Sequence, residues 1–231
     1  MTPKKLHRFL IEKIPSGDTV VISDEHIVHQ ALSILKFSVG ESFIVFVDGG
    51  PDITVEITDR DKRSMTVKKL LEENRSPLPR TVIAAVSIIK GASFELVVQK
   101  LTEVGVSAIV PLLSERTVKT GVRLDRLQKI SDEALELSGG NIRVTLHTPM
   151  TLQECFTAFP HSAFVCDGYG GESVATIPQT VVLYVGPEGG WSASDEAVFE
   201  QHSITRLALG ETVLRTETAA IIGAHTLLWH S

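Results

Sequence analysis

Two apolar runs, each ending in a glycine-bearing turn, constrain the fold of this chain most strongly. The first reads Val-Val-Leu-Tyr-Val at 181–185 and continues as Gly-Pro-Glu-Gly-Gly-Trp at 186–191. The second reads Leu-Ala-Leu at 207–209 and continues as Gly-Glu-Thr-Val-Leu-Arg-Thr-Glu-Thr-Ala at 210–219. A short apolar run bounded by Gly and Pro is typical of a strand buried on both faces. Because a helical pattern follows each turn, the two turns predict a crevice at the carboxyl edge of a parallel sheet.

The rest of the chain after residue 80 alternates in the same way. Apolar strand patterns occur at 81–89, 106–113 and 163–166. Helical spacing follows Ser93, a candidate N-cap, and recurs at 124–137 and 218–229. Thr151 with Glu154, and Ser192 with Asp195, have the spacing of helix N-terminal caps. Strands that alternate with helices predict an α/β domain with a mainly parallel sheet.

The first seventy residues are instead rich in β patterns. The runs 43–47 and 53–57 flank a glycine-bearing connection, which predicts a hairpin, and 65–70 alternates likewise. Residues between Asp24 and Phe37 fit a short helix. The strand patterns together with this helix predict a small barrel. A polar stretch with two prolines follows. We therefore expect a barrel at 1–72, a linker at 73–80 and the α/β domain at 81–231.

Charge is distributed unevenly along the 231 residues, whose net charge of −6 argues against indiscriminate nucleic-acid binding. Residues 1–80 carry twelve Lys and Arg against twelve Asp and Glu, whereas 81–231 carry ten against sixteen. A basic cluster at the start of the chain is either a solvated end or a contact for an anionic polymer. No apolar run approaches the ~20 residues of a membrane span. The two cysteines have neither metal-site nor disulfide-framework spacing, so we expect a reduced, cytoplasmic setting.

The residues of the two turns leave several functions open. The first turn is neither a dinucleotide fingerprint nor a phosphate-binding P-loop, so spacing alone also allows a purely structural turn. Arg215 and Glu217 precede an apolar helix, where charges are costly unless they are paired. They form either an ion pair with each other or a contact to a substrate. The histidines show no metal-ligand pattern, so no metal is expected.

Both turns together resemble a known family. Gly-Pro-Glu-Gly-Gly at 186–190 and Leu-Gly-x-x-Val-Leu-Arg-Thr-Glu-Thr-Ala at 209–219 are similar to the RsmE family of ribosomal small-subunit uracil-N3 methyltransferases, which belong to the knotted SPOUT class. Lys90, the segments 99–106 and 111–116, and the N-terminal His-Arg-Phe at 7–9 match as well. The resemblance covers nearly the whole chain.

This resemblance implies a C-terminal SPOUT-type trefoil-knotted parallel sheet with an N-terminal PUA-like small β-barrel. It also implies S-adenosyl-L-methionine as the cofactor, 16S rRNA or the small ribosomal subunit as the partner, and a homodimer. The expected cofactor-binding residues lie in the two turns and the strand before the first: Leu183, Val185, Gly186, Pro187, Glu188, Gly189, Gly190, Leu209, Gly210, Val213, Leu214 and Arg215. The alternatives are a non-catalytic RNA-binding ribosome-assembly factor and a SPOUT methyltransferase with another RNA target.

Uracil N3 is a poor nucleophile until it loses its proton, which indicates roles for the charged residues of the turns. We expect Arg215 to stabilise negative charge that develops on the uracil oxygens. Glu188 or Glu217 could accept the proton, and the residues alone do not decide between them. The N-terminal part is expected to contact RNA through a set of basic side chains: Lys4, Lys5, His7, Arg8 and Lys36.

Two departures from the family pattern concern the substrate. Where the family usually has Glu-Gln-Ser-x-Arg, this chain reads Glu-Leu-Ser-Gly-Gly at 136–140, with Asn141 or Arg143 as possible replacements. Lys36 stands where the family commonly has Arg, which removes a bidentate donor. These differences put substrate affinity or target choice in question more than the fold.

Overall fold

A computed structural model of the chain describes residues 6–14, 17–90, 92–118, 121–167 and 176–229. The chain forms two compact units. Unit 1 comprises Met1–Ser76 together with Leu135–Ile142, and unit 2 comprises Pro77–Ala134 together with Arg143–Ser231. A short segment from the middle of the sequence therefore belongs to the N-terminal unit, which its position in the chain does not indicate.

Unit 1 is built on a five-stranded sheet. Its strands are β1 (Arg8–Leu10), β2 (Thr19–Ile22), β3 (Ser42–Phe46), β4 (Asp52–Arg60) and β5 (Met65–Glu73). They lie in the order β1-β3-β4-β5-β2, with β1 parallel to β3 and the other neighbours antiparallel. Helix α1 (Glu25–Val28) continues into a π-helical segment (His29–Ile34). The predicted hairpin and the predicted helix are both present.

The core of unit 1 follows from the alternation in β4. Ile53, Val55 and Ile57 are at most 1% exposed, and they pack with Phe43 of β3 and Met65 of β5. Successive strand residues point to opposite faces, so every second residue of β4 enters the core. Strand β5 is longer than the predicted strand 65–70. It continues to Glu73, the first residue of the predicted linker.

Unit 2 contains a seven-stranded sheet with helices. Its strands are β6 (Thr81–Ser87), β7 (Ala108–Leu113), β8 (Thr145–Leu146), β9 (Met150–Thr151), β10 (Ser162–Asp167), β11 (Thr180–Val185) and β12 (Thr205–Ala208). Its helices are α2 (Ala92–Val104), α3 (Leu124–Ser138, whose last residues belong to unit 1), α4 (Leu152–Ala158), α5 (Ala193–Gln201) and α6 (Thr216–Trp229). The order is β12-β10-β11-β6-β7-β8, β9 also pairs with β7, and neighbouring strands are parallel. This confirms the α/β class with a parallel sheet.

Local signals placed most of these elements correctly. Thr151 with Glu154, and Ser192 with Asp195, form complete capping boxes at α4 and α5, as predicted. The predicted cap at Ser93 is wrong, because α2 already begins at Ala92 and Ser93 lies inside the helix. Strands β8 and β9 were missed, since two residues are too few to show a period.

Strand β11 lies between two layers of apolar side chains. Val181, Leu183 and Val185 belong to one core cluster, and Val182 and Tyr184 belong to the cluster on the opposite face. Such burial on both faces explains the uninterrupted apolar run. Because the strands are parallel, the residues that follow β6, β7, β11 and β12 meet at one edge of the sheet.

Candidate active site

The first glycine turn follows β11 and depends on glycine at two positions. Gly190 has a φ of +69°, and its N–H donates to the carbonyl of Pro187 at 2.9 Å. At Gly186 a Cβ would lie 3.0 Å from the Trp191 ring. The turn therefore holds its backbone close against an indole ring, in a shape that other residues would strain.

The second turn joins β12 to α6 and is tied to the first. Gly210 has a φ of +133°. The buried hydroxyl of Thr216 donates to the carbonyl of Gly186 at 2.9 Å. The carbonyl of Arg215 accepts from the Ala219 N–H at 2.8 Å, which places the Arg215 side chain at the start of α6.

A third loop, which follows β7, braces the first turn. The Arg116 guanidinium donates through Nη1 to the carbonyl of Gly189 at 2.8 Å. The neighbouring Glu115 accepts a hydrogen bond from the hydroxyl of Ser194. The pKa of Glu115 is lowered, mainly by the hydrogen bond from Ser194 and next by that from Ser192. The hydroxyl of Ser194 therefore donates to a carboxylate. In the sequence, this stretch is visible only as a match to the family, and its residues predict no role.

The two glycine turns border an open cavity of about 450 Å³ at the carboxyl edge of the sheet. This volume lies in the range of roughly 300–1,000 Å³ that is typical of small-molecule sites. The lining combines glycine backbone, apolar side chains and a few polar groups: Cys166, Val185, Gly186, Pro187, Glu188, Gly190, Trp191, Glu196, Arg206, Leu209, Gly210, Thr212, Val213, Leu214, Arg215, Thr216 and Ala219.

Ten of the twelve residues expected to hold a cofactor line this cavity. Leu183 does not, because its side chain is fully buried in the core below, so its expected contact is corrected. Gly189 lines a smaller neighbouring recess instead. Thr216 also lines the cavity and was not predicted, although it lies within the motif 209–219. Its hydrogen bond to Gly186 joins residues 30 positions apart, so the sequence does not reveal it.

Two further missed residues form an ion pair in the lining. Arg206 of β12 pairs with Glu196 of α5, so neither charge faces the cavity without a partner. Cys166 lies nearby, and burial raises the pKa of its thiol to about 12. The thiol therefore remains protonated at neutral pH and adds an apolar surface rather than a nucleophile.

The three candidate catalytic side chains occupy different positions. Arg215 and Glu188 both line the cavity and are exposed. Glu217 lies in the first turn of α6, is half-buried and does not line the cavity. Within the described ranges no salt bridge joins Arg215 to Glu217, so the alternative of a mutual ion pair is wrong.

Among the candidate RNA contacts, His7 and Lys36 are exposed on unit 1. The ring of Phe37, the residue after Lys36, meets the His7 ring edge-on, with 5.6 Å between the ring centroids. Arg60, which was not predicted, donates to the Phe37 carbonyl at 2.7 Å. Lys4 and Lys5 lie outside the described residues.

Arg8 requires a correction. Its side chain is only 4% exposed, and it pairs with Asp52 at 2.6 Å. It also donates to the Gly140 carbonyl at 2.7 Å and lies 4.2 Å over the Phe46 ring. A buried, paired guanidinium has no donor facing solvent, so Arg8 is a core residue of unit 1 rather than a surface contact for RNA.

The segment that departs from the family pattern has structural contacts in unit 1. The Glu136 carboxylate accepts from the Leu10 N–H at 2.8 Å, and the Asn141 amide donates to the Gly50 carbonyl at 3.1 Å. In unit 2, Arg143 forms two hydrogen bonds with Asp132. The two suggested replacements, Asn141 and Arg143, are thus both occupied by contacts within the fold.

Metal-ligand clusters and membrane-spanning helices are both absent from the described parts of the chain. These parts contain no group of three or more His, Cys, Asp or Glu side chains that could hold a metal ion. In the same residues, no helix is both long and apolar enough to cross a membrane.

Comparison with known proteins gives consistent matches. The model of the RNA methyltransferase domain family matches residues 76–228. One similar structure is the crystal structure of a ribosomal RNA small subunit methyltransferase E from Neisseria gonorrhoeae bound to S-adenosyl methionine. It is 30% identical to this chain in sequence and has a TM-score of 0.84, and the match covers 97% of this chain and 98% of that chain. Relatives of the same name are 29% identical in Synechocystis, over 84% of this chain and 68% of theirs, and 28% identical in Bacillus subtilis, over 94% and 93%.

Proposed function

The chain belongs to the ribosomal RNA small subunit methyltransferase E family, and we propose that it transfers the methyl group of S-adenosylmethionine to uracil N3 in 16S ribosomal RNA. The observation that carries this proposal is the cavity between the two glycine turns. It is a small-molecule site at the carboxyl edge of a parallel sheet, formed by the residues that carry the family motifs.

The lining of the cavity fits S-adenosylmethionine. Leu209, Val213 and Leu214 offer an apolar surface for adenine, and the backbone of Gly186 and Gly210 permits close approach. Peptide groups of the two turns can read the polar edge of the base. When bound, the cofactor supplies a methyl group that its sulfonium already activates. The remaining task of the protein is to align N3 and to favour loss of its proton.

Arg215 and Glu188 are the side chains that we assign to this task. Arg215 lines the cavity and is placed at the start of α6, where its cation stabilises negative charge on the uracil oxygens. Glu188 also lines the cavity, which makes it the preferred proton acceptor. Glu217 lies outside the lining, so its role is to support the start of α6, where a carboxylate is favourable near a helix N-terminus.

The finer features of the fold belong to the same proposal. We assign the end of unit 2 to a SPOUT-type trefoil knot: β12 pairs with β10 at the edge of the sheet, and the following α6 packs against the central β6 and β11. The five-stranded sheet of unit 1 is assigned to a PUA-like barrel that binds RNA. We propose the division expected from the sequence, a barrel at 1–72, a linker at 73–80 and a methyltransferase domain at 81–231, with Glu73 and residues 135–142 added to the barrel.

We further propose a homodimer that works in the cytoplasm on the small ribosomal subunit. Ile222 and Trp229 on α6 are 39% and 50% exposed, and Leu96 on the adjoining α2 is 40% exposed. Apolar side chains on two packed helices provide surface for a second copy of the chain. His7 and Lys36 are exposed cations or donors that can contact RNA, and Lys4 and Lys5 are proposed to act with them.

Calorimetric titration with S-adenosylmethionine separates the enzyme from a non-catalytic assembly factor. We expect one cofactor site for each chain, with affinity that changes little between low and moderate salt, because the lining is largely apolar and backbone. A matched titration of Gly186→Val should show loss of binding, since its side chain would meet Trp191. Absence of measurable binding to the wild-type chain would overturn the enzyme proposal.

A further inference from the structure

A second cavity lies beside the proposed cofactor site in unit 2. It is a recess of about 260 Å³ that shares Glu188 with the larger cavity. Its lining is Ile88, Ile89, Lys90, Arg116, Val118, Glu188 and Gly189. The recess thus extends from the end of β6 across the loop after β7 to the first glycine turn, and Glu188 lies on the boundary between the two cavities.

The recess carries two cations in an acidic part of the chain. Residues 81–231 have ten Lys and Arg against sixteen Asp and Glu. Arg116 uses one guanidinium nitrogen for the Gly189 carbonyl, and a guanidinium has five N–H donors in all. Lys90 is exposed, and no described residue accepts a hydrogen bond from its ammonium. Both cations therefore have donors available for an anionic ligand.

An apolar surface accompanies the two cations. Val118 is 84% exposed, whereas Ile88 and Ile89 of the same lining are each 2% exposed. An exposed apolar side chain beside free cationic donors matches the two surfaces of a nucleotide, a flat base and a phosphate. Single-stranded nucleic acid is bound by cationic grooves that also carry side chains against which bases pack; these are most often aromatic, and in this recess they are aliphatic.

We propose that this recess receives the target uridine of the RNA, with Lys90 and Arg116 on the phosphates that flank it and Val118 against the base. The proposal rests on the proposed uracil methylation. It explains why Glu188 lines both cavities, because N3 of a base in the recess and a methyl donor in the larger cavity would meet at this carboxylate. Arg116 has a second role, since the same side chain that binds phosphate also braces the glycine turn.

The test uses Lys90→Ala and Arg116→Ala in the full chain, with Lys129→Ala as the matched control. Lys129 is an exposed cation of unit 2 on α3 that lines neither cavity. Binding of a small-subunit RNA fragment that contains the target uridine is measured by fluorescence anisotropy at several salt concentrations. Each recess variant should weaken binding about tenfold and reduce the slope of log K against log salt by about one. Lys129→Ala should leave both quantities unchanged.

Further measurements separate this proposal from the proposed function. Calorimetric affinity for S-adenosylmethionine should be unchanged in Lys90→Ala, while KM for RNA rises and kcat is retained. The proposal is overturned if both recess variants keep the wild-type RNA affinity and salt slope, or if Arg116→Ala loses only cofactor affinity and Lys90→Ala loses nothing. A wild-type chain that binds RNA through these residues but methylates no uridine would overturn the proposed function, and the recess would then be an RNA contact without a target base.

Discussion

Arg8 in unit 1 and Arg215 in unit 2 show how differently the two regions use the same side chain. Both were expected from the sequence to contact a ligand. Arg8 is 6% exposed and is held by Asp52, the Phe46 ring and the Gly140 carbonyl. Arg215 is exposed in the lining of a cavity and has no salt bridge among the described residues. Burial and partners, more than residue type, decide which arginine is available for chemistry.

The physical basis of this difference is desolvation. A buried guanidinium must be paired, because moving a charge out of water costs several kcal/mol. Unit 1 meets this cost with Asp52, which also accepts from Arg75, so that two cations share one carboxylate. Arg215 remains hydrated, and it keeps its donors for negative charge that appears only during a reaction. Mutations that separate stability from activity therefore test this difference between the two arginines.

The largest effect is expected for Arg8→Ala. Breaking a buried ion pair typically costs about 3–5 kcal/mol, and Arg8→Ala also removes the contacts to the Gly140 carbonyl and the Phe46 ring. We therefore expect a loss within this range in the free energy of unfolding. Urea denaturation measures this loss. Arg63→Ala, which removes an exposed arginine of unit 1, should stay within about 0.5 kcal/mol of the wild type. If Arg8→Ala had wild-type stability and weaker RNA binding, Arg8 would be a surface contact for RNA after all.

The next effect is expected for Arg215→Ala. Removing a donor that stabilises charge in a transition state typically lowers kcat about 10²–10³-fold. Single-turnover methylation at saturating cofactor measures kcat, and urea denaturation should show wild-type stability, in contrast to Arg8→Ala. Arg215→Lys keeps the charge and should recover part of the rate. Methylation by Arg215→Ala at the wild-type rate, with cofactor binding intact, would show that the proposed electrostatic role is wrong.

The smallest effect is expected for Thr216→Val, which tests how the two glycine turns are held together. The substitution keeps the side-chain shape and removes the hydrogen bond to the Gly186 carbonyl. A typical hydrogen bond contributes about 0.5–1.5 kcal/mol, so cofactor affinity should fall roughly three- to tenfold. Calorimetry measures this change. A cofactor affinity equal to that of the wild type would mean that the two turns keep their positions without this contact.

Local sequence signals predicted much of the fold. The capping boxes at α4 and α5 and the strand 181–185 depend on residues within a few positions of each other, so their patterns are visible in the sequence. The two turns were also identified correctly as the lining of one crevice, because parallel strands bring their carboxyl ends to one edge.

The errors concern contacts between residues that lie far apart in the chain. Arg8 and Asp52 are separated by 44 positions, and the Gly140 carbonyl is 132 positions from Arg8. Nothing near Arg8 indicates that these groups surround it, so its charge suggested a surface. Arg116 was given no role for the same reason, since its partner Gly189 is 73 positions away.

Methyl transfer to small-subunit RNA is the direct test of the proposed activity. Unmodified 16S rRNA, assembled into small subunits, is incubated with isotopically labelled S-adenosylmethionine and the wild-type chain, and its nucleosides are then identified by mass spectrometry. We predict labelled N3-methyluridine with the wild-type chain and a rate about 10²–10³-fold lower with Arg215→Ala. Absence of labelled N3-methyluridine with a wild-type chain that binds the cofactor, or label on a different nucleoside, would contradict this prediction.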